Sequence, residues 1–346
     1  MRKRFPAEWE EQDGVLLAWP HQGSDWRLHL DIVEPVFEEI ALHVSRFETV
    51  IITAPDPGHL RARLERAGCV MERVVLHAID SNDTWARDFG PLAVEENGRP
   101  VLLDFVFNGW GLKFAADLDN LISRRLASAG LFSAPLRSQG LVLEGGSIES
   151  DGKGTIMTTA RCLLGPNRNP HLSQAGIESE LCRILGVDRF LWLEKGHLAG
   201  DDTDSHIDTL ARFCPDDTII HVACDDPSDM HFPEISAMVA ELAGFRTREG
   251  RPYRLIPLPW PRPVFDDRGE RLPATYANFL VLNGAVLFPS YCDPKDEEAL
   301  RAVGEAFPGR EIIGVNCLPL ILQHGSLHCV TMQLPMGTIS NTSKGA

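Results

Sequence analysis

Positive charge is scarce in this chain, and its cysteines form no pairs. Across 346 residues, 33 Lys and Arg stand against 49 Asp and Glu, a formal net charge of −16. A surface of that sign repels phosphate backbones and anionic headgroups, which argues against nucleic acid or a membrane as partner. It suits a cationic substrate. The eight cysteines (Cys69, Cys162, Cys182, Cys214, Cys224, Cys292, Cys317, Cys329) are scattered without a CxxC spacing. That excludes a zinc-ribbon pattern and offers no disulfide framework, so a reduced, cytoplasmic protein is the simplest expectation. The leading MRKRFPAEWEEQDG is basic but has no apolar segment behind it, unlike a signal peptide. No run approaches the roughly 18–20 apolar residues of a membrane span. Equally missing are a GxGxxG after a strand, an EF-hand loop and an HExxH helix.

What is present is a rhythm. Four stretches read as an apolar strand, a turn and a second apolar strand: residues 87–107, 141–159, 206–224 and 277–291. Their turns, ENGR, SDGKG, CPDD and LNGA, tolerate positive φ, and Asn-Gly or Asp-Gly between alternating apolar residues is a strong hairpin signal. Between and around them, apolar spacing of three and four predicts helices over 31–47, 59–68, 117–130, 173–186, 232–245 and 296–307. Strand pairs alternating with helices suggest an approximate structural repeat, which can close around an axis as a propeller-like ring. An open doubly wound sheet is the competing architecture. No linker interrupts the chain, so one domain over residues 1–346 is expected.

Four short stretches could carry chemistry. In DDTDSHIDT (201–209), a strand opening at HIDT would present His206 and Asp208 on one face. A solvated acidic loop or a metal site using Asp201, Asp202, Asp204 and His206 are the alternatives. NDTWARDFGP (82–91) sets Trp85, Arg87 and Asp88 before a strand, whose alternation would aim Arg87 and Asp88 to opposite faces; a local ion pair over a core tryptophan is the bland version. LEGGSIE (143–149) places Glu144 ahead of a Gly-Gly pair that lets backbone approach closely, or forms an ordinary turn. HGSLHC (324–329) brings a cysteine near the C-terminus. Read as a strand, His328 and Cys329 face apart, so a base serving Cys329 should come from elsewhere, with His206 the natural candidate. A buried, inert cysteine is the alternative.

Taken together and in order, NDTWARDFGP, LEGGSIESDGKGTIMTT, NRNP, DDTDSHIDTLARF, NFLVLNGAVLFPSY and LHCVTMQ resemble the agmatine deiminase / bacterial peptidylarginine deiminase family, within the guanidino-group-modifying (pentein) superfamily. The resemblance runs from FPAEWEEQDGVLLAWP to the region after Cys329. It implies an α/β fold, a five-bladed pseudo-symmetric α/β propeller of ββαβ units. It also implies covalent hydrolysis of a guanidinium C–N bond, with no cofactor and no metal. By motif, Cys329 matches the nucleophile and His206 the general acid/base. Asp88 and Asp208 match the carboxylates that hold the guanidinium, and Glu144 an acidic partner near the histidine. Trp85 matches a wall of the substrate pocket, and Trp110 is a further substrate-binding candidate.

The chemistry accounts for these residue types. A guanidinium is a resonance-stabilised cation, and two fixed carboxylates can grip its N–H groups and orient the carbon. A thiolate adds without a metal, and an imidazole protonates the departing ammonia. The same carboxylates should raise the Cys329 pKa, so substrate binding itself is expected to promote the thiolate. Agmatine is the first-choice substrate, giving N-carbamoylputrescine and ammonia. Peptidyl-arginine or another small guanidine is the alternative within the family. A metal-dependent amidohydrolase built on residues 201–208, or a catalytically dead guanidine-binding protein, would be the outcome from another class. The sequence departs from the family pattern in HGSL, where a GGGN-like turn is expected, and in a short 107–120 segment. A homo-oligomer is possible but not readable.

Overall fold

Asn97 and Gly98 both take positive φ and turn the strand Leu92–Glu96 back onto Arg99–Val106, as the Asn-Gly pair predicts. This computed structural model describes residues 3–340; of the residues in the single-domain expectation, 1, 2 and 341–346 lie outside the described residues. Arg99–Val106 then feeds the helix Ile122–Ser128, and the chain returns as Leu136–Val142, parallel to Arg99–Val106.

The same plan recurs. Ile148–Ser150 and Thr155–Thr159 pair antiparallel, the helix Gln174–Leu185 crosses over, and Arg189–Leu193 adds in parallel. Ala211–Cys214, Thr218–Val222, Phe232–Gly244 and Arg254–Leu258 repeat it. So do Leu280–Val281, Ala285–Ser290, Asp296–Ala306 and Glu311–Asn316. The fifth instance joins the two ends of the chain. Thr331–Pro335 pairs antiparallel with Gln12–Ala18, the helix Leu30–Phe47 follows, and Thr49–Ala54 and Val74–Ala78 complete the sheet in parallel. All six expected helices form within a few residues of their expected bounds. The fifth strand pair was not among the expected hairpins because its partners are separated by nearly the whole chain.

The helices hold because each buries one face. Val33, Val36, Phe37, Ile40, Ala41 and Val44 all lie inside on Leu30–Phe47, at three- and four-residue intervals. Gln174–Leu185 starts at Ser173, whose hydroxyl accepts from the Gly176 N–H, and stops at Gly186 in the left-handed region, with φ 74°. The buried apolar side chains form one continuous cluster.

Three local expectations are corrected. His206, Asp88 and Cys329 do not lie on or at the opening of strands. Asp88 sits in a single helical turn, Ala86–Phe89; Asp208 sits in a 3₁₀ turn, Ile207–Thr209, with His206 just before it; and Cys329 sits in a turn ahead of Thr331. These turns carry too few residues for any periodicity to show in the sequence. Their placement follows one rule: each comes directly before the first strand of a repeat. Glu144 and the 3₁₀ turn Gly145–Ser147 precede Ile148, and a turn at Tyr276–Ala277 precedes Leu280. Residues of these five lead-in turns contact one another.

Candidate active site

Cys329 is 5% exposed and lines a cavity of about 170 Å³, together with Trp85, Asp88, Trp110, Phe114 and His324 among others. Asp88 is fixed from two directions. Its Oδ2 accepts from Trp110 Nε1 at 2.9 Å and its Oδ1 from the Gly146 N–H at 3.0 Å. Burial raises its carboxyl, which the His206 charge opposes and Asp208 reinforces, to about 6. The histidine of the acidic stretch lies alongside, His206 Nδ1 being 3.6 Å from Asp88 Oδ1. His206 is fully buried, and neither ring nitrogen has a nitrogen or oxygen hydrogen-bond partner. Burial alone would lower its pKa; Asp88, with Cys162 and Asp208 beside it, outweighs that and holds it at about 10. This direction favours the imidazolium at neutral pH.

Asp208 reaches the same place from the neighbouring turn. Its Oδ2 accepts from His328 Nδ1 at 2.7 Å, while its Oδ1 is buried without a partner. Burial opposes its ionisation, but the His328 hydrogen bond and the His206 and Arg212 charges keep it below the usual carboxylate range. Gly146 is where these groups converge. A Cβ there would lie 2.6 Å from His206 Nδ1, 2.9 Å from Asp88 Oδ1 and 3.0 Å from Asp208 Oδ2. The Gly-Gly pair after Glu144 therefore permits a close approach of backbone to all three side chains. Cys329 is pushed well above the ordinary thiol range, first by burial and then by the charges of Asp208 and Asp88. Both effects favour the thiol over the thiolate.

The aromatic walls are set by unusual backbone. Gly109, Trp110, Gly111 and Leu112 all have positive φ, so a short left-handed turn carries the Trp110 indole onto Asp88. Each non-glycine residue there costs roughly 1–2 kcal/mol, which the buried indole N–H···carboxylate bond helps offset. Trp85 donates from Nε1 to Asp83 Oδ2 at 3.1 Å and stacks at a tilt on Trp26, 5.9 Å away. A Cβ at Gly325 would fall 2.1 Å from the Trp85 ring. The HGSL turn thus keeps the glycine that this wall requires.

Glu144 lies behind His206, fully buried, with both carboxylate oxygens accepting from Arg168 Nε at 2.9 and 3.0 Å. Arg168 belongs to the NRNP stretch and was not among the expected site residues. Glu144, Cys162 and His206 bring potential ligand atoms within 4.8 Å of one another, the one such group among the described residues. The Arg168 guanidinium already neutralises Glu144 there, which disfavours a second cation. The acidic run 201–204 is used differently. Asp201 accepts from the Thr203 and Ser205 N–H groups, and Asp204 pairs with Lys113 and Arg168, both at 2.8 Å. These carboxylates build a loop rather than a shared ligand set.

Arg87, as expected, points away from Asp88, although a helical turn rather than strand alternation separates them. It pairs with Glu8 at 2.9 Å and with Gln333. His328 likewise turns away from the thiol, to Asp208 and Glu8. One residue at the centre was missed altogether. Asn278, fully buried, places its Oδ1 3.3 Å from Cys329 Sγ. Its signal was positional: it follows the one lead-in turn to which no site residue had been assigned.

The chain belongs to the Porphyromonas-type peptidyl-arginine deiminase family, which it matches over residues 4–335. It is 49% identical to a candidate arginine deiminase of Porphyromonas gingivalis with a solved structure, at a TM-score of 0.92 covering 98% of this chain and 100% of that one. A solved C. jejuni agmatine deiminase, a cysteine-to-serine variant with substrate bound, is 38% identical at a TM-score of 0.89, covering 96% of each chain. The agmatine deiminase of Pseudomonas syringae pv. tomato is 34% identical over 96% of this chain and 95% of its own. Among the described residues, no helix is long and apolar enough to cross a membrane.

Proposed function

We propose that this chain is an agmatine deiminase, converting agmatine and water to N-carbamoylputrescine and ammonia. The observation that carries this reading is the acidity of the Cys329 cavity from base to rim. Asp88 is buried, Asp83 and Asp202 are half-buried and Asp25 is exposed, and no Lys or Arg is among the lining residues. Such a cavity favours a guanidinium that carries a second positive charge at its far end. It disfavours the α-carboxylate of free arginine.

In this reading Asp88 and Asp208 hold the guanidinium and orient its carbon toward Cys329. The bound cation lowers the cost of a thiolate beside two carboxylates, and the thiol proton leaves to solvent. Sulfur then bonds to the guanidinium carbon. His206, already an imidazolium, protonates the departing nitrogen, and ammonia leaves a thiouronium on Cys329. The neutral imidazole next takes a proton from water, the resulting hydroxide adds to the same carbon, and the C–S bond breaks as the hydroxyl proton passes to the departing sulfur, releasing the urea-type product and restoring the thiol. Glu144 keeps His206 company as a charge held by Arg168, while Trp85 and Trp110 wall the cavity. We read the five repeats as one domain, a five-bladed pentein propeller whose lead-in turns face its axis. The eight free cysteines fit a reducing, cytoplasmic setting.

Deimination of peptidyl-arginine is the second reading, favoured by Phe114, which lines the cavity and is 44% exposed. Ammonia release from agmatine, free arginine and a blocked arginine peptide, with EDTA present and Cys329→Ser as control, separates them. Cysteine-dependent turnover of agmatine alone is expected. Turnover of the peptide alone moves the function to protein deimination, and activity in Cys329→Ser defeats the covalent reading.

A further inference from the structure

Two left-handed turns stand at the rim of the Cys329 cavity, and they are held very differently. One runs through Asp204 and Ser205, both at positive φ, beside the lining residues Asp202 and Thr203. Arg168, buried on Glu144, secures it by pairing with Asp204 and donating to the Thr203 carbonyl, both at 2.8 Å. Asp201 takes two of its N–H groups. That side is a fixed post. The other turn runs through Gly109, Trp110, Gly111 and Leu112 and brings Trp110 and Phe114 to the lining. Its inner end is secured as well. Asn108 Oδ1 accepts from the Gly111 N–H at 3.0 Å, Asn108 Nδ2 donates to the Asn167 carbonyl at 2.9 Å, and Trp110 donates to Asp88. Its outer end is not. Residues 112–115 are all exposed, and Leu112 keeps a φ of 69° although its side chain is mostly in water. What joins this end to the post is Lys113, whose Nζ donates to the Asp202 carbonyl at 2.6 Å and to Asp204 Oδ1 at 2.8 Å. The Lys113 and Asp204 side chains are 38% and 34% exposed, so the pair is weak and screened by salt.

We propose that Lys113 latches residues 112–115 across the mouth of the Cys329 cavity and so selects small free guanidines over guanidines carried on a peptide chain. This rests on reading that cavity as the substrate site. A segment that is strained, exposed and joined to its post by one weak ion pair opens more readily than the packed structure around it. Leu112 pulls toward opening, because a left-handed conformation costs a branched side chain that gains no packing in return. Lys113 pulls toward closure. Phe114, whose ring meets Trp110 edge-on at 5.5 Å, moves with Lys113, while Trp110 stays on Asp88. A small guanidine lets the latch close behind it, and the ion pair is then intact both before and after binding. An arginine within a peptide runs out through the mouth and keeps the latch open, so its binding must break the pair. The latch therefore weakens the binding of peptide-borne guanidines and leaves that of small ones unchanged. Lys113 takes no part in the chemistry.

The test is the rate of Cys329 alkylation by iodoacetamide in the full chain, mapped by peptide mass because seven other cysteines are present. Lys113→Met keeps the aliphatic stem and removes the charge. It should speed Cys329 alkylation about two- to fivefold, the range that one exposed ion pair allows. Raising NaCl from about 0.05 to about 1 M should do the same to the wild type and nothing to the variant. Lys113→Arg should keep the wild-type rate. Leu112→Gly, which relieves the strain of the closed turn, should slow alkylation. Protection of Cys329 by ligands then reads selectivity. In Lys113→Met a blocked arginine peptide should half-protect at a concentration two- to fivefold lower than in the wild type, and agmatine at an unchanged one. An unchanged Cys329 rate in Lys113→Met overturns the proposal, as does a rise at all buried cysteines, which marks loosened packing. A peptide that protects the variant no better than the wild type overturns the selectivity. Absence of agmatine turnover would defeat the substrate reading alone, leaving the alkylation and protection results standing.

Discussion

Two histidines lie where the lead-in turns touch, both fully buried and each beside an aspartate, and they are held in opposite ways. His328 has both nitrogens occupied: Nδ1 lies 2.7 Å from Asp208 Oδ2, and Nε2 lies 2.9 Å from Glu8 Oε2 and 3.0 Å from Arg212 Nη2. Burial and the Arg212 and Arg87 charges push it below its ordinary pKa. His206 has no conventional hydrogen bond at either nitrogen, and the surrounding negative charge carries it up to about 10. Burial costs both, so it does not separate them. What separates them is whether the ring's hydrogen-bonding capacity is used up by the protein. On the proposed mechanism the tied histidine fixes Asp208 for the substrate, whereas the untied one keeps its N–H groups for a reacting atom.

Substitution should break the symmetry most visibly. His206→Asn should cut kcat for agmatine by about 10²–10⁴, the usual worth of a general acid/base. His328→Asn should do the reverse in emphasis. Removing one partner from a buried charged network costs roughly 3–5 kcal/mol, which a drop in Tm would record, with activity falling less and mainly through KM as Asp208 loses its anchor. Equal losses of kcat with unchanged Tm in both would refute the division of labour.

Gly146→Ala probes the meeting point of His206, Asp88 and Asp208. The added methyl has no room, and a displacement of the order of 1 Å in this group should cost about 10²-fold in kcat/KM. Near-wild-type kinetics from this variant would show that the three side chains need not keep their present spacing. The smallest effect expected is the acid limb of the pH profile. Asp88 is raised from its ordinary 3.8 to about 6, and only its ionised form grips a guanidinium. Below about pH 6, kcat/KM should fall tenfold per unit, levelling off above it. A limb lying below the ordinary carboxylate range would assign the grip to Asp208 alone.

How much of this was readable in advance depends on distance along the chain. The helix Leu30–Phe47 was legible because its apolar stripe is written within its own residues, and the Asn97-Gly98 turn because two adjacent residues decide it. Cys329, His206, Asp88, Asp208 and Glu144 were legible as candidates because their motifs are local. The turns at His206 and Cys329 read as strand in the sequence, since single turns have no period. Asn278 was passed over as one polar residue within an apolar hairpin. Arg168 stands within NRNP, but its partner Glu144 lies in the same repeat's lead-in turn, two strands earlier in the chain.

The amino-acid sequence by itself determined the elements, the hairpin turns and the kinds of side chain that chemistry on a guanidinium requires. Only the tertiary structure decided which histidine is tied and which is not, because Glu8, Arg212 and Asp208 reach His328 from far along the chain. It alone decided that Asn278 stands behind the thiol. Hydrogen bonds and proton affinities are set by neighbours in space, at distances of 3–4 Å, and those neighbours exist only once the repeats have come together.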